Sequence, residues 1–297
     1  MLNAQLGIQT LKLDEASAQR SHPQPSTGTA ATLHGLQAAA SRVCLGLLLP
    51  FALICLWALA SARAWIAPQI LPAPGVVATT LFEQLSSGEL LGHLLISLGR
   101  VASGFAVGAG IGLALGAVMG LSQRVEAYLG PLFLAFSQVP VLGWVPLAMM
   151  LLGIGESLKV ALIATSALVP VALNTLHGIR AVPRAYLDVA RAFRFTRLQL
   201  LRRVVLPGAV PSIFVGVRYG LSQAWLSLVT VELLASSEGL GFMLVWGRQL
   251  FQLDLVLSAI VVIGLVGLVL DKGLAELEAR LLRWRPQLQL DGGRGQP

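Results

Sequence analysis

Charged residues are scarce in this chain, and lysine is nearly absent. Only 12% of its 297 residues are Asp, Glu, Lys or Arg, and three of the 21 basic residues are lysines. A soluble domain of this length needs a more polar surface. The segments 101–123, 128–155 and 160–179 contain no charged residue at all. Because a helix needs about 20 apolar residues to cross a bilayer, these runs predict a membrane protein.

A phosphate-binding loop is also missing from the sequence. That loop requires Gly-Lys followed by Ser or Thr, and none of Lys12, Lys159 and Lys272 follows a glycine. The four histidines have no partner at metal-ligand spacing. We therefore expect a protein that is not an enzyme, with no catalytic residue, no cofactor and no metal in this chain.

Six apolar runs predict an all-α polytopic membrane protein with six transmembrane helices. The transmembrane domain is expected over 43–285, with a disordered tail at 1–42 and a second tail at 286–297. The predicted spans are 43–60, 94–121, 128–153, 159–179, 209–235 and 253–271. Prolines interrupt the third, fourth and fifth spans and can kink them.

The basic residues are distributed unequally between the two sides of the predicted membrane. Sixteen of the 21 fall on the side of the termini and three on the other side, while Arg100 and Arg218 lie within spans. This bias predicts that both termini lie in the cytoplasm. The basic residues occur in short loops rather than on a polar surface with exposed aromatics, so the net charge of +7 indicates topology and not a nucleic-acid partner.

Glycines recur every four residues along the second predicted span. This spacing places them on one stripe of a helix, where another helix can approach backbone to backbone. We interpret the stripe as packing within one bundle, with a subunit interface or a sliding contact as the alternatives. The five positions are Gly104, Gly108, Gly112, Gly116 and Gly120.

The segment 183–207 contains six arginines and no lysine, and it predicts two short amphipathic helices. In the first helix, Tyr186, Ala190 and Phe193 share an apolar face. Asp188 can pair there with the arginine at 184 or at 191. The second helix starts with a capping box of Thr196 and Gln199, and Leu206-Pro207 marks its end. A surface loop of this kind favours docking of a soluble protein, with contact to anionic lipid as the alternative.

This segment resembles the coupling motif of ABC importer permeases, which runs Glu-Ala-Ala, three residues, Gly, nine residues, Ile-x-Leu-Pro. Arg194 replaces the motif's glycine. It either adopts the left-handed conformation, at a cost of about 1 kcal/mol, or the turn has another shape. The matching positions are Asp188, Val189, Ala190, Arg194, Val204, Leu206 and Pro207.

The resemblance covers about 60–286 and points to the aliphatic sulfonate, taurine and nitrate group of permeases. Within that group, NTLHGIR and LPGAVPSIFVGVRYGL look closest to aliphatic sulfonate permeases. The resemblance implies a type I importer fold that acts as a homodimer in the bacterial inner membrane. A periplasmic solute-binding protein would deliver a small anion, and membrane lipid would surround the dimer.

The resemblance also implies how such a permease is driven. Two ABC ATPase subunits, which use ATP and Mg, would dock on the loop 180–207. Their closure would push the loop inward and turn the permease from inward- to outward-facing. The residues implied in this coupling are Asp188, Val189, Ala190, Arg191, Phe193, Arg194, Leu206 and Pro207.

Polar residues inside the predicted spans are the candidates for a translocation path. Glu232 is a poor ligand for an anion, so we expect a structural bridge to Arg218 or Arg248, or a gate contact. Uncharged polar side chains could contact a passing anion briefly, and a tryptophan could line the wall. The path candidates are Gln138, Ser222, Gln223, Trp225 and Glu232.

Three alternative functions remain open from the sequence. The chain could carry nitrate or another small nutrient within the same family. A secondary transporter or channel without ATP would need repeats or ion-coupling carboxylates, and one candidate carboxylate is present. A membrane scaffold could use the glycine stripe but would leave the coupling motif without a role.

Overall fold

The computed structural model describes residues 48–283, and all regular secondary structure in that part is helical. The all-α prediction is therefore confirmed for these residues. The predicted tails 1–42 and 286–297 lie outside them. The helices are α1 Leu48–Ala62, α2 Pro74–Ser86, α3 Glu89–Leu121, α4 Gln123–Ser137, α5 Val141–Leu152, α6 Glu156–Arg180, α7 Arg184–Ala192, α8 Arg197–Leu200, α9 Leu206–Ala235, α10 Leu240–Gln249 and α11 Leu253–Leu281.

Within residues 48–283, four helices are long and apolar enough to cross a membrane: α3, α6, the continuous helix Arg197–Ala235 and α11. The second, fourth, fifth and sixth predicted spans each fall inside one of them. The first predicted span overlaps α1, a shorter apolar helix, and its residues 43–47 lie outside the described part. The chain divides into two compact units between Ala60 and Ser61, and α1 belongs almost entirely to the first unit.

The third predicted span, 128–153, is two helices and not one. Helices α4 and α5 meet at an angle of 96° across the break at 138–140. Pro140 has no backbone N–H to donate and disfavours helical geometry in the residue before it. Pro146 lies within α5 without ending it. A proline inside a helix thus does not by itself end it, whereas Pro140 lies at the break.

Helices α3 and α6 form the centre of the second unit and run in the same direction. The glycine stripe of α3 lies on the face that contacts α6, from Gly104 beside Ile163 to Gly120 beside Ile179. A methyl group added at Gly108 would overlap the backbone of Ala164. Small residues thus let the two backbones approach closely within one chain.

Helix α9 packs on a neighbouring face of α6, where it also contacts α3, and runs antiparallel to α6. Gly216 lies against Asn174, and Gly220 lies against Val171, three residues closer to the start of α6. Ser212 Oγ donates to the Asn174 carbonyl oxygen at 2.9 Å. The antiparallel direction brings the end of α9 to the start of α6.

Two short helices, α2 and α10, complete the unit, and no apolar run predicted either of them. Ser258 Oγ of α11 donates to the Val77 carbonyl of α2 at 3.1 Å, and Thr80 Oγ1 donates to Asp254 Oδ2 at 2.7 Å. The buried side of α10 joins the main apolar core, to which α9 contributes Trp225. Both helices therefore stabilise one end of the bundle.

Candidate functional site

The arginine-rich segment forms two helices, α7 and α8, joined by a tight turn. Arg194 has a φ of 52°, in the left-handed region. The Phe195 N–H donates to the Ala190 carbonyl at 3.0 Å, and the Arg194 N–H donates to the Arg191 carbonyl at 2.9 Å. This is a Schellman motif, which normally has glycine at the left-handed position. Arg194 therefore performs the turn that the resemblance assigned to a glycine.

Helix α7 has one face against its own chain and one face exposed. Leu187 packs on a small cluster formed by Ile179, Val205 and Ala209, which anchors the loop to α6 and α9. Ala190 is only 3% exposed, so it lies inside the fold and cannot contact a partner protein directly. The sequence pattern placed Ala190 on one apolar face with Tyr186 and Phe193, but those two side chains are exposed and Ala190 is not.

The exposed face of α7 is apolar and aromatic. Tyr186, Val189 and Phe193 are 62%, 56% and 75% exposed. Asp188 pairs with Arg191 at 3.0 Å, and both side chains are exposed, so the pair adds little stability. An exposed aromatic face on an anchored loop is a surface suited to a protein partner.

Helix α8 continues into α9 through a turn of π-helix at Leu201–Val205. The predicted capping box is present, with Gln199 N–H donating to Thr196 Oγ1 at 3.3 Å and Thr196 N–H donating to Gln199 Oε1 at 2.9 Å. The prediction that Leu206-Pro207 marks the end of this helix is wrong, because these two residues begin α9. Proline is tolerated in a first turn, and the wider π turn accommodates its missing donor.

A second ion pair lies at the same end of the bundle as the coupling segment. Arg180, the last residue of α6, pairs with Glu126 of α4. Its guanidinium also donates to the Met119 carbonyl of α3 at 3.3 Å. This arginine therefore joins the ends of three helices beside α7.

The opposite end of the bundle contains an ion cluster centred on the buried Arg100 of α3. Its guanidinium donates to Glu156 at 2.6 and 2.8 Å and to Glu232 at 2.7 Å. Arg100 and Glu232 side chains are 5% and 0% exposed. Lys159 also donates to Glu156, at 2.7 Å. Two cations and two carboxylates therefore balance each other's charge.

Glu232 is saturated with hydrogen bonds inside this cluster. Ser97 Oγ and the Gly241 N–H donate to its carboxylate at 2.9 Å, in addition to Arg100. The expected bridge to Arg218 or Arg248 is therefore wrong, because antiparallel packing brings Glu232 to the first part of α3. Its place in a closed network gives Glu232 a structural role and separates it from the pocket described below.

Arg218 belongs to a separate ion pair between α9 and α11. It donates to both carboxylate oxygens of Asp271, at 2.9 and 3.0 Å. Glu278 approaches the same guanidinium at 3.7 Å. Beside the pair is a small pocket of about 200 Å³, lined by Ser222 and by Trp225, whose ring packs on Gly267. Two of the path candidates thus line this pocket.

A larger pocket of about 360 Å³ lies between the α4–α5 break, α6 and α9. Gln223 is the one path candidate that lines it. Gln138 is exposed at the break beside Ser137, which does line the pocket. The pocket is therefore formed by residues that are distant in sequence. Its polar side chains are Ser137, Thr165, Ser166, Asn174, Tyr219 and Gln223.

Thr165, Asn174 and Tyr219 were not predicted as path residues. Their signal in the sequence is weak, because isolated polar residues within apolar runs are common. Pro170 gives a better signal, since it lies between Thr165 and Asn174 and interrupts the backbone hydrogen bonds of α6. Only the packing of α9 on α6 brings Tyr219 to this position.

The features above define a polytopic membrane protein of the permease class. The chain belongs to the family described as "Binding-protein-dependent transport system inner membrane component", whose family model matches residues 106–283. It is 41% identical to an aliphatic sulfonates transport permease protein of Bacillus subtilis (strain 168), over 81% of this chain and 87% of that protein.

Two further comparisons agree with this family. The taurine transport system permease protein of Escherichia coli (strain K12) is 34% identical, over 80% of this chain and 88% of that protein. The fold is similar to a structure of the MetNI methionine ABC transporter, with a TM-score of 0.54 at 17% identity, covering 66% of this chain and 95% of the other. The expected type I importer permease fold is thereby confirmed.

Proposed function

We propose that this chain is the transmembrane subunit of an ATP-driven importer for an aliphatic sulfonate or taurine. The family supports the importer, and the two relatives named for sulfonates and taurine support the solute. One structural observation supports ATP-driven coupling above all others. An aromatic face of α7 is exposed on a loop that is firmly anchored to α6 and α9.

The partners on this face are ABC ATPase subunits, which bind ATP and Mg. Tyr186, Val189 and Phe193 would insert into an apolar groove of the ATPase. Burying such aromatic side chains contributes much of the binding energy at protein interfaces. The arginines around them would pair with acidic residues at the groove's rim and increase the rate of association.

Movement of the loop reaches the membrane through α9. Helix α8, the π turn and α9 form one continuous helix over Arg197–Ala235. A push on α7 is transmitted through Leu187 to Val205 and Ala209 at the start of α9. Because packed helices move as rigid elements, the push would displace Tyr219 and Gln223 further along the same helix.

The proposed topology places the coupling segment and both termini in the cytoplasm. The distribution of basic residues, sixteen against three, supports this orientation. A periplasmic solute-binding protein would then meet the opposite end of the bundle, near Arg100. A second copy of the chain would complete the path, and lipid would surround the pair.

Nitrate or another small nutrient is the second candidate within the same mechanism, since the binding protein would select the solute first. A transporter that works without ATP is less well supported. The buried carboxylate that could couple an ion, Glu232, is already neutralised by Arg100. Its negative charge is therefore not free to bind a coupling ion.

Growth on a defined sulfur source tests the proposal. A strain lacking this gene should fail to grow on taurine or an alkanesulfonate as sole sulfur source and should grow normally on sulfate. The intact gene should restore growth, and a Phe193→Asp variant that reaches the membrane should not. Normal growth of the deletion strain on sulfonates, with no second importer present, would contradict the proposed solute.

A further inference from the structure

The pocket between the α4–α5 break, α6 and α9 is lined by both polar and apolar side chains. None of the described side chains that line it is charged. We propose that it is a transient binding site for an amphipathic anion, an alkanesulfonate or aminoalkanesulfonate. This inference rests on the proposed function, and it adds that the permease itself contributes to solute selection.

The hydrogen-bond donors of the pocket are supplied by Asn174, Tyr219 and Gln223. Gln223 Nε2 donates to Tyr219 Oη at 2.8 Å, which leaves the phenol's own proton for another acceptor. Asn174 Nδ2 donates one hydrogen to the Pro170 carbonyl at 2.8 Å. Each amide nitrogen carries two hydrogens, so each retains one. Three donors from two helices that line the pocket are therefore free to bind the oxygens of a sulfonate.

The hydroxyl groups of the pocket are used differently. Thr165 Oγ1 donates to the Ala161 carbonyl at 2.8 Å, and Ser137 Oγ donates to the Leu134 carbonyl at 2.7 Å. With their protons already donated, these two hydroxyl oxygens can only accept further hydrogen bonds. Pro170 has no N–H, so the Ser166 carbonyl of α6 also loses its normal helical partner. These acceptors suit the ammonium group of an aminoalkanesulfonate.

An uncharged lining among the described residues is more typical of a site that releases its solute than of a site that binds it tightly. A path must bind its solute strongly enough to admit it and weakly enough to release it. Arg218, on the same helix as Tyr219, is already paired with Asp271 at 2.9 Å. Neutral donors therefore provide the anion's contacts without an unpaired arginine that would retain it.

The apolar wall of the pocket accounts for the solute's carbon chain. The pocket's volume of about 360 Å³ lies within the range of small-molecule sites. Each methylene that enters such a wall improves affinity about fourfold. The wall should thus favour sulfonates with a short alkyl chain over sulfate. It is formed by Phe136, Val139, Val141, Val169 and Leu173.

Uptake by the complete transporter, reconstituted in liposomes with its ATPase and binding protein, tests the site. The probes are taurine, ethanesulfonate and hexanesulfonate. Tyr219→Phe and Gln223→Leu each remove a donor and should lower sulfonate uptake about tenfold or more. The matched control is Thr230→Val, whose hydroxyl donates to its own helix outside the pocket and should leave uptake unchanged.

A second variant tests the apolar wall. Val169→Phe fills part of the pocket, so uptake of hexanesulfonate should fall several-fold more than uptake of ethanesulfonate. If Gln223→Leu fails to assemble, Tyr219→Phe decides, because it removes a single oxygen atom. Unchanged uptake in Tyr219→Phe together with an unchanged chain-length ratio in Val169→Phe would overturn the site. A wild-type complex that imports another solute but no sulfonate would instead overturn the proposed function.

Discussion

Arg100 of α3 and Glu232 of α9 form an ion pair, with Nη1 of the arginine 2.7 Å from Oε1 of the carboxylate. Both side chains are buried, and the same guanidinium also holds Glu156 at the start of α6. One arginine therefore ties three helices at the end of the bundle away from the coupling segment. The loop Ser236–Gly239 is held too, since Arg100 Nη1 donates to the Glu238 carbonyl at 2.8 Å.

We expect Glu232→Gln to destabilise the protein strongly. The change leaves Arg100 and Lys159 with the single carboxylate of Glu156, and one uncompensated charge in such a cluster costs about 3 kcal/mol. Denaturation in detergent should show a clear loss in the free energy of unfolding. Glu276→Gln is the control, because its pair with Arg280 is exposed and should change stability little.

The double variant Arg100→Leu with Glu232→Leu distinguishes the pair from simple loss of packing. Removing both charges avoids the uncompensated one, so the double variant should be more stable than Glu232→Gln alone. An equal or larger loss of stability would contradict the pairing.

The glycine stripe predicts a contrast between two faces of α3. Gly108→Ala places a methyl group against the Ala164 backbone of α6, where it cannot fit, and should destabilise the protein by about 1–3 kcal/mol. Gly110→Ala meets nothing within 4 Å and should be neutral or slightly stabilising. Thermal unfolding of the two variants measures the contrast, and equal effects would refute the close approach of α3 and α6.

Arg194→Gly should stabilise the coupling segment. Arginine at a φ of 52° costs about 1 kcal/mol that glycine does not. Ala192→Gly, two residues earlier and within α7, should have the opposite sign, because glycine weakens a helix by about 1 kcal/mol. Hydrogen exchange of the α7 amides can follow both variants. Slower exchange in Ala192→Gly than in Arg194→Gly would contradict the left-handed turn.

Phe193→Ala should weaken binding of the ATPase subunit while leaving the membrane fold intact. Its side chain is 75% exposed, and an aromatic at the centre of an interface contributes about 2 kcal/mol, or about thirtyfold in affinity. Binding of the purified ATPase to the permease in detergent measures the change. Tyr128→Ala is the control, since Tyr128 is 84% exposed on α4. Equal loss in both variants would argue against docking on α7.

Ala190 is a poorer test of coupling than Phe193. Because it is 3% exposed and packs inside the chain, a bulky charged residue there would disrupt the anchoring of α7. Loss of transport in such a variant would not separate docking from folding. The exposed aromatic side chains avoid this difficulty.

The sequence by itself determined the class of protein and four of its spans. Long uncharged runs such as 160–179 leave a membrane helix as the main solution, because backbone groups in lipid must bond within their own segment. Local signals were equally reliable where chemistry is local: Thr196 and Gln199 form their capping box, and Pro140 lies at the α4–α5 break.

Only the tertiary structure decided which distant residues meet. The sequence offers several arginines as partners for Glu232. The antiparallel packing of α9 brings Glu232 to Arg100, while Arg218 pairs with Asp271. The same packing places Tyr219 and Gln223 opposite Thr165 and separates Gln223 from Ser222, its neighbour in the chain. Adjacent residues on a helix point about 100° apart, so a polar run in the sequence cannot show which of its members line a path.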